Sequence, residues 1–404
     1  MLRSPKSVNP VLPAATTVVL TGGGSGGHIT PLLPLARALK KKQPGCQIIY
    51  IGLTGDKLKD LKAEREIFDK VFHIKSGKFR RYHGQSILAH LVDIKSLILN
   101  FRDLFRVMSG TLSARRLLKK LEPDVVFSKG GYVVVPVGLA AKMLKIPIVT
   151  HDSDAVSGIA NRIVGRWAKV HATGMPPQHY NYPKDTIAYV GIPIAKDIKP
   201  VNKAAQNEFK KAQGIPESGV VLLINGGGLG SKRVNELVLQ IVPQLLAQLP
   251  DLHVIHITGS LHEEVIKAKY ETLLGEPSLK RLKVLGFSDE FSINTGAADL
   301  IIARAGATTL AELQLQQKAC IIIPAPFLAG GHQLKNAEVL KQADAAVVVS
   351  ENIDPQELLK LSLDLLKDAT KRQRLASKMA TLAHPRAAAE LAEIILNVAQ
   401  RRRV

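Results

Sequence analysis

The chain has 404 residues, 46% of them apolar, and carries 55 Lys and Arg against 34 Asp and Glu, a formal charge of +21. That length and apolar content support two domains of ordinary size with real cores, and no apolar run approaches the ~20 residues of a membrane-spanning helix. The charge fits nucleic acid, an anionic membrane surface or a phosphate-rich substrate, but aromatics are only 4% and no aromatic-interleaved basic signature occurs, which argues against nucleic acid.

In chain order, residues 1–15 read as a poorly ordered Pro- and Ser-containing extension. Its basic start and apolar run imitate a signal peptide. Thr17–Leu20, however, leads straight into Thr21-Gly22-Gly23-Gly24-Ser25-Gly26-Gly27-His28, so it reads as the first core strand and the protein as cytoplasmic. The glycine turn opens an apolar-periodic helix through Lys40, whose start offers N–H donors to an anion. It lacks the GxxxxGK[ST] form of an ATP-binding loop. His28 at the helix mouth can take a proton from a hydroxyl, orient a diphosphate, or simply sit solvated as a helix-capping residue.

Gln47–Gly52 reads as the second strand. Between Lys75 and Met108, Ile87, Leu88, Leu91, Ile94, Leu97, Ile98, Phe101, Leu104 and Phe105 recur at helical spacing, with Lys78, Arg80, Arg81, Lys95, Arg102 and Arg106 among them. This is either a core-facing helix with a charged back or an amphipathic surface for an anionic membrane. Pro123–Ser128 is another strand, followed by the turn Gly130-Gly131-Tyr132 and a helix over Val137–Leu144. Ile146–Thr150 ends in His151-Asp152-Ser153-Asp154, placing a carboxylate at a strand's C-terminal end, where it can act as a base or position a hydroxyl. A turn at Val190–Ile194 precedes a polar linker near 195–218.

The second half starts with strand Val220–Asn225 and the loop Gly226-Gly227-Gly228-Leu229-Gly230-Ser231, again a strand–glycine loop–helix anion site. Strands follow at His253–Gly259 and Val284–Phe287, with a short helix around Asp289–Asn294. Leu300–Ala303 leads through Arg304 into Ala305-Gly306-Ala307, small residues that permit close approach. Thr308 or Thr309 is expected to cap the next helix, with Glu312 one turn in. After the apolar run Lys318–Ile323, Gly330-Gly331 leads into His332, Gln333 and Asn336 at another helix start. A carboxylate such as Glu312 can accept both ribose hydroxyls, and amide or imidazole groups can hold a hexose, so the pattern suits a sugar nucleotide. Val347–Val349 is a last strand before a helical tail from Pro355 to Arg403, broken at His384-Pro385. Cys46 and Cys320 read as buried thiols. No metal-ligand spacing, GxSxG motif or Cys/His nucleophile pair occurs, and no metal or cofactor is expected.

From Thr17 to the end, the order of these motifs resembles the MurG family of GT-B glycosyltransferases (family 28). The resemblance implies an α/β GT-B fold, two Rossmann-like domains with a cleft between them. It divides the chain into a disordered extension (1–15), an acceptor- and membrane-binding domain (16–198), a UDP-sugar-binding domain (199–383) and a helix crossing back (384–404). The implied activity is inverting transfer of GlcNAc from UDP-GlcNAc to the muramyl sugar of a polyprenyl-diphosphate-linked acceptor, lipid I, giving lipid II for peptidoglycan. The implied location is peripheral, on the cytoplasmic face of an anionic membrane. His28 or Asp152 would serve as base. The donor would be held by Gly227, Gly228, Gly230, Ser231, Phe287, Arg304, Gly306, Ala307, Thr308, Glu312, His332, Gln333 and Asn336. Ser25, Gly26, Gly27, Gly130, Gly131, Tyr132, Asp154 and Lys196 would serve the acceptor and its diphosphate. The chain departs from the family pattern in having Asp152 for Glu, Asp154 for Asn, Ala195 for Arg, Gly228 for Ser, Leu229 for Gln and His332 for Gln. Three alternatives stay open: transfer to another lipid or glycan acceptor, an isomerase of the UDP-GlcNAc 2-epimerase type, and an inactive relative.

Overall fold

The computed structural model describes residues 16–23, 26–55, 67–77 and 94–403. The expectations for 1–15, Ser25, Lys78, Arg80, Arg81, Ile87, Leu88 and Leu91 lie outside these residues. The first half runs β1 (Thr17–Thr21), α1 (Gly26–Ile29), α2 (Leu32–Lys42), β2 (Gln47–Leu53), β3 (Lys70–Ile74), α3 (Ile94–Leu121), β4 (Val125–Ser128), α4 (Val134–Met143), β5 (Ile148–Asp152), α5 (Ile159–Val164), β6 (Ala168–Thr173) and β7 (Ile187–Tyr189). The second half runs α6 (Lys203–Ala212), β8 (Val220–Asn225), α7 (Lys232–Gln248), β9 (Leu252–Ile257), α8 (Glu263–Leu273), α9 (Glu276–Leu279), β10 (Leu282–Leu285) and α10 (Phe291–Ala297). It continues through β11 (Leu300–Ala303), α11 (Ala307–Gln316), β12 (Cys320–Ile322), α12 (His332–Gln342), β13 (Val347–Val348), α13 (Pro355–Lys367), α14 (Ala369–Ala380) and α15 (Ala387–Arg403).

Among the described residues these strands form two sheets, ordered β3-β2-β1-β4-β5-β6-β7 and β10-β9-β8-β11-β12-β13. Every pairing is parallel. Parallel strands linked by helices are covered on both faces, so the central ones are continuously apolar: Val18-Val19-Leu20, Val125-Val126-Phe127 and Leu222-Leu223-Ile224 are all fully buried. In each sheet the order reverses once, between β1 and β4 and between β8 and β11. Ligands of doubly wound sheets bind outside the strand ends at such points. All four of those strands end in the motifs singled out above. The architecture is the expected one, two Rossmann-like α/β domains.

The last helix leaves the second half altogether. Leu391, Ala392, Ile395, Leu396 and Ala399 of α15 are buried in one cluster with Leu32, Leu35 and Leu39 of α2. The break at His384-Pro385 sits where the chain crosses back, with the His384 ring against Tyr189 at 4.4 Å between centroids.

Several local expectations are corrected. The helix expected from the glycine turn through Lys40 is divided at Thr30-Pro31 into α1 and α2, because Pro31 has no N–H to continue the ladder. The helix expected over Val137–Leu144 starts three residues earlier, at Val134. Strands β3 and β6 went unread because Lys70, Lys169 and His171 interrupt their apolar pattern, and β7 because its three residues are too short a run to signal a strand. The sharpest correction concerns α3. Val107, Ala114 and Leu118 face the core, as in the first of the two readings, but Asp103 is buried with them and the exposed side carries Phe101, Leu104, Phe105, Met108 and Leu112 beside Arg102 and Arg106, so the back is mixed and not simply charged. Glycine at position 110 lets α3 lie close on the chain, since a Cβ there would sit 2.1 Å from the Lys75 carbonyl oxygen.

Candidate functional site

At the switch point of the first sheet, the turn after β1 meets the turn after β4. His28 in α1 is half-buried, with Nδ1 3.2 Å from the Lys129 carbonyl oxygen. A carbonyl only accepts, so Nδ1 carries the proton and Nε2 keeps its lone pair. Burial, reinforced by the nearby Lys129 charge, lowers the His28 pKa to about 4, so the ring is a neutral base at physiological pH. Gly130 has φ +101, and a Cβ there would sit 3.1 Å from His28 Cε1. Gly131 has φ +90 and would collide with the Gly23 carbonyl oxygen at 1.9 Å. These two glycines therefore fit the turns together and seat the histidine ring. Gly26 and Gly27 form the first residues of α1. The Tyr132 carbonyl accepts from Ser76 Oγ at 2.7 Å.

Asp152, expected as an alternative base, is buried with both oxygens occupied. Oδ1 accepts from the Gly158 N–H and from Asn161 Nδ2, each at 3.0 Å, and Oδ2 accepts from the Tyr182 hydroxyl at 2.8 Å. Burial raises its pKa and these bonds oppose the rise. A carboxylate so committed holds the chain after β5 in shape and leaves His28 as the group available for proton transfer. Asn161 links the two, since it also accepts from Ser128 Oγ at 2.6 Å. Beside them is a residue that the sequence reading did not single out. Lys129 is buried, its Nζ 2.7 Å from Ser153 Oγ, and burial lowers its pKa to about 8 against the pull of Asp152 and Asp154.

On the second sheet, the loop after β8 is shaped by its glycines. Gly227 has φ +91 and its N–H is taken by Asn225 Oδ1 at 2.9 Å. Gly230 has φ +75, and a Cβ there would sit 2.1 Å from the Thr258 carbonyl oxygen. Positions 227 and 228 instead face open space. Ser231 caps α7, accepting from the Val234 N–H at 3.3 Å. Arg304 does not extend to a ligand as expected. It is buried, giving Nε and Nη2 to Ser231 Oγ at 3.2 and 2.7 Å, Nη1 to the Ile323 carbonyl at 3.1 Å and Nη2 to Glu351 Oε2 at 2.8 Å. It braces the loop from behind.

Neither Thr308 nor Thr309 caps α11. The cap is Gly306, which has no side chain to offer, and the small Ala307 is the first helical residue. The first-turn N–H groups are thereby left for a ligand. Glu312 lies one turn further along, half-buried, its carboxylate without a hydrogen bond or ion pair among the described residues. Burial, then the Asp197 charge, raises its pKa to about 7. Phe287 is exposed just beyond β10.

The α12 start differs most from expectation. Gly330 and Gly331 are both left-handed and deliver the chain to His332, the first residue of the helix. Gln333 Oε1 accepts from the Ala325 N–H at 3.0 Å. Asn336, expected at the hexose, is fully buried and spends its amide on the protein. Its Oδ1 accepts from the Ala155 N–H at 2.8 Å, and Nδ2 donates to Asp154 Oδ1 at 2.8 Å and the Ala305 carbonyl at 3.0 Å. This corrects two expectations together, because Asp154 is thereby a tie between the halves and not a diphosphate contact. Lys196 is exposed in the connection between them.

Comparison with known proteins agrees with this arrangement. The family model for the Glycosyltransferase family 28 N-terminal domain matches residues 18–173, and that for the Glycosyltransferase family 28 C-terminal domain matches residues 221–391. A protein of Clostridium perfringens named UDP-N-acetylglucosamine–N-acetylmuramyl-(pentapeptide) pyrophosphoryl-undecaprenol N-acetylglucosamine transferase is 36% identical over 357 residues, 88% of this chain and 91% of that one. The crystal structure of Acinetobacter baumannii MurG superposes with a TM-score of 0.71 at 27% identity, covering 95% of this chain and 99% of that one. UDP-GlcNAc 2-epimerase from Neisseria meningitidis, with a TM-score of 0.65 at 13% identity over 95% of this chain and all of that one, shares the fold alone. On these matches to both of its halves, the chain belongs to glycosyltransferase family 28.

Proposed function

We propose that this protein is an inverting N-acetylglucosaminyltransferase, moving GlcNAc from UDP-GlcNAc to the muramyl sugar of a polyprenyl-diphosphate-linked acceptor. The observation that carries the mechanism is His28, a neutral imidazole with a free Nε2 lone pair at the switch point of the first sheet. Nε2 takes the proton from the acceptor hydroxyl as its oxygen attacks the anomeric carbon. The bond to UDP breaks from the opposite face, and its electron pair leaves on the diphosphate. The helix starts at Ser231 and Ala307 meet that charge with N–H groups and the positive end of the helix dipole, while Gly227 and Gly228 leave room for the phosphates. Glu312 accepts the ribose hydroxyls, Phe287 borders the base, and His332 and Gln333 adjoin the hexose. In this scheme residues 16–198 serve the acceptor, 199–383 the donor, and 384–404 tie the second domain back to the first.

Transfer of labelled GlcNAc from UDP-GlcNAc to a lipid-linked muramyl-pentapeptide in detergent tests this directly. Label in the lipid product is the expected result. Donor binding without transfer would point to a different acceptor, and absence of donor binding would sink the reading.

The Glu312 assignment has its own signature. The ionised carboxylate is the better acceptor for two hydroxyls, and its pKa is raised to about 7. Donor affinity is therefore expected to weaken as pH falls through about 7, and Glu312→Gln should bind weakly with no such slope. Titration of UDP across this range reads it, and an unchanged slope in the variant would remove Glu312 from the donor site.

A peripheral place on the cytoplasmic face of the membrane is part of the same proposal. Among the described residues no helix is long and apolar enough to cross a membrane. Phe101 is 64% and Phe105 54% exposed on one face of α3, and Arg102 and Arg106 stand about half-exposed beside them. Apolar side chains for the acyl boundary flanked by cations for anionic headgroups make such a face bind lipid. The double substitution Phe101→Ser, Phe105→Ser should reduce sedimentation with anionic vesicles by about tenfold or more, given ~1.5–3 kcal/mol for each fully buried Phe. Equal sedimentation would place the contact elsewhere.

A further inference from the structure

A cavity of about 200 Å³ opens between the two domains, lined by Val156, Ser157, Arg162, His179, Asn181, Tyr182 and Lys335. Three features of this lining belong to nothing described above. It is basic, with Arg162 and His179 from the first domain and Lys335 from α12 of the second, and it includes no carboxylate. The side chains of Arg162 and Lys335 make no ion pair or hydrogen bond among the described residues, although both line the same small space. His179 Nε2 is buried without a hydrogen-bond partner. The nearest acid along α12, Glu338, is exposed outside this lining; its charge reaches the His179 ring, and its Oε1 accepts from Gln342 Nε2 at 3.1 Å.

Arg162 and Lys335 are exposed at the rim of this space, where water screens their repulsion, and the buried His179 nitrogen without a partner costs desolvation free energy. An anion with several acceptor oxygens in this space would draw both cations to itself, since guanidinium and ammonium donate to it, and a turn of the His179 ring would let the imidazole join them. We propose that Arg162, His179 and Lys335 form an oxyanion subsite that receives an anionic group of the acceptor. Its position supports that occupant. Tyr182, in the cavity wall, donates to Asp152 Oδ2 at 2.8 Å, and Asp152 is tied through Asn161 to the β4 turn on which His28 rests. Because Lys335 comes from the donor-side domain, an anion held here also bridges the halves and favours their closed arrangement. That the anion belongs to the acceptor rests on the transferase reading. The chemistry fits a diphosphate or a peptide carboxylate equally, and both groups are present in a lipid-linked muramyl-pentapeptide.

The test is steady-state kinetics of the full chain and of Arg162→Ala and Lys335→Ala, whose side chains hold no internal contact that folding needs. Loss of one charge-assisted contact should raise the acceptor KM about tenfold or more, with the donor KM unchanged. An unchanged acceptor KM in both variants would overturn the proposal. Repeating the comparison with an acceptor whose peptide carboxylates are amidated assigns the source. If the wild-type advantage disappears, the carboxylate occupies the subsite; if it persists, the diphosphate does, and either result supports an oxyanion subsite. A second measurement stands apart from transfer: titration of wild-type protein with inorganic pyrophosphate and, separately, acetate, followed by the 15N shift of the His179 ring. A saturable shift lost in Lys335→Ala supports the subsite even if no transfer is detected, in which case only the transferase reading fails. No saturable shift with either anion refutes it.

Discussion

Replacing His28 with alanine should lower kcat by about 10²–10⁴-fold, the range of a lost general base, while leaving the donor KM nearly unchanged. The expectation follows from geometry. The imidazole is fixed by its Nδ1–H bond to the Lys129 carbonyl and by the close fit of Gly130, and it belongs to no core cluster, so truncation removes the lone pair with little loss of packing. The pH dependence distinguishes a base from a group that merely packs. With a pKa lowered to about 4, His28 is deprotonated across the neutral range, so its acid limb in kcat/KM appears only as pH falls through about 4. Lys129→Met removes a positive charge that helps to hold this value down, so the limb should move to higher pH. Asp152→Asn is the contrasting variant. Asp152 already accepts three hydrogen bonds, and the substitution should lower stability more than it lowers the chemical step. A fall in kcat below about tenfold for His28→Ala would end its assignment as base.

Glu351→Ala should destabilise the fold by about 3–5 kcal/mol, the usual cost of leaving one partner of a buried ion pair uncompensated. Glu351 and Arg304 meet at 2.8 Å with side chains only 10% exposed. Arg304 has no other carboxylate partner among the described residues, and its remaining contacts are to Ser231 Oγ and the Ile323 carbonyl. Because Arg304 braces Ser231, the cap of α7, the donor KM should rise in the same variant. Urea unfolding measures the first effect as a lower midpoint with an unchanged slope. Glu351→Gln, which keeps an acceptor, should lose less. A loss below about 1 kcal/mol would mean that water solvates the pair and that Arg304 is not the brace described here.

The fold was legible because parallel sheets announce themselves twice, through unbroken apolar strands and through the glycine turns that must follow them. Leu20, Phe127, Ile224 and Ile302 are each buried immediately before one of those turns. Residue types at the switch points were legible for the same reason. What sequence order does not reveal is which polar groups the protein uses on itself. Arg304, Asn336 and Asp152 all stand at the expected strand or helix ends, yet each is saturated by partners 6 to 182 residues away. Outward-facing apolar residues on α3 were ambiguous because periodicity fixes a stripe but not what it faces; Asp103 and Ala114 inside the helix contact decide it. Arg162, His179 and Lys335 are scattered singly along the chain and converge only through the docking of α12 on the first domain.

The return of α15 to the first domain has a mechanical consequence. The second domain is held by two chain crossings, and they touch, since Gly191 has φ +80 and a Cβ on it would meet His384 Cβ at 2.3 Å. A body hung on one strand can swivel freely, whereas one hung on two adjoining strands behaves like a door on a pair of hinge pins. Rotation of the second domain is therefore expected to pivot where residues 191 and 384 meet. Any opening must therefore undo both the Asn336 bonds to Asp154 and Ala155 and the packing of Ala155, Met175, Tyr180 and Ile192 against the second core.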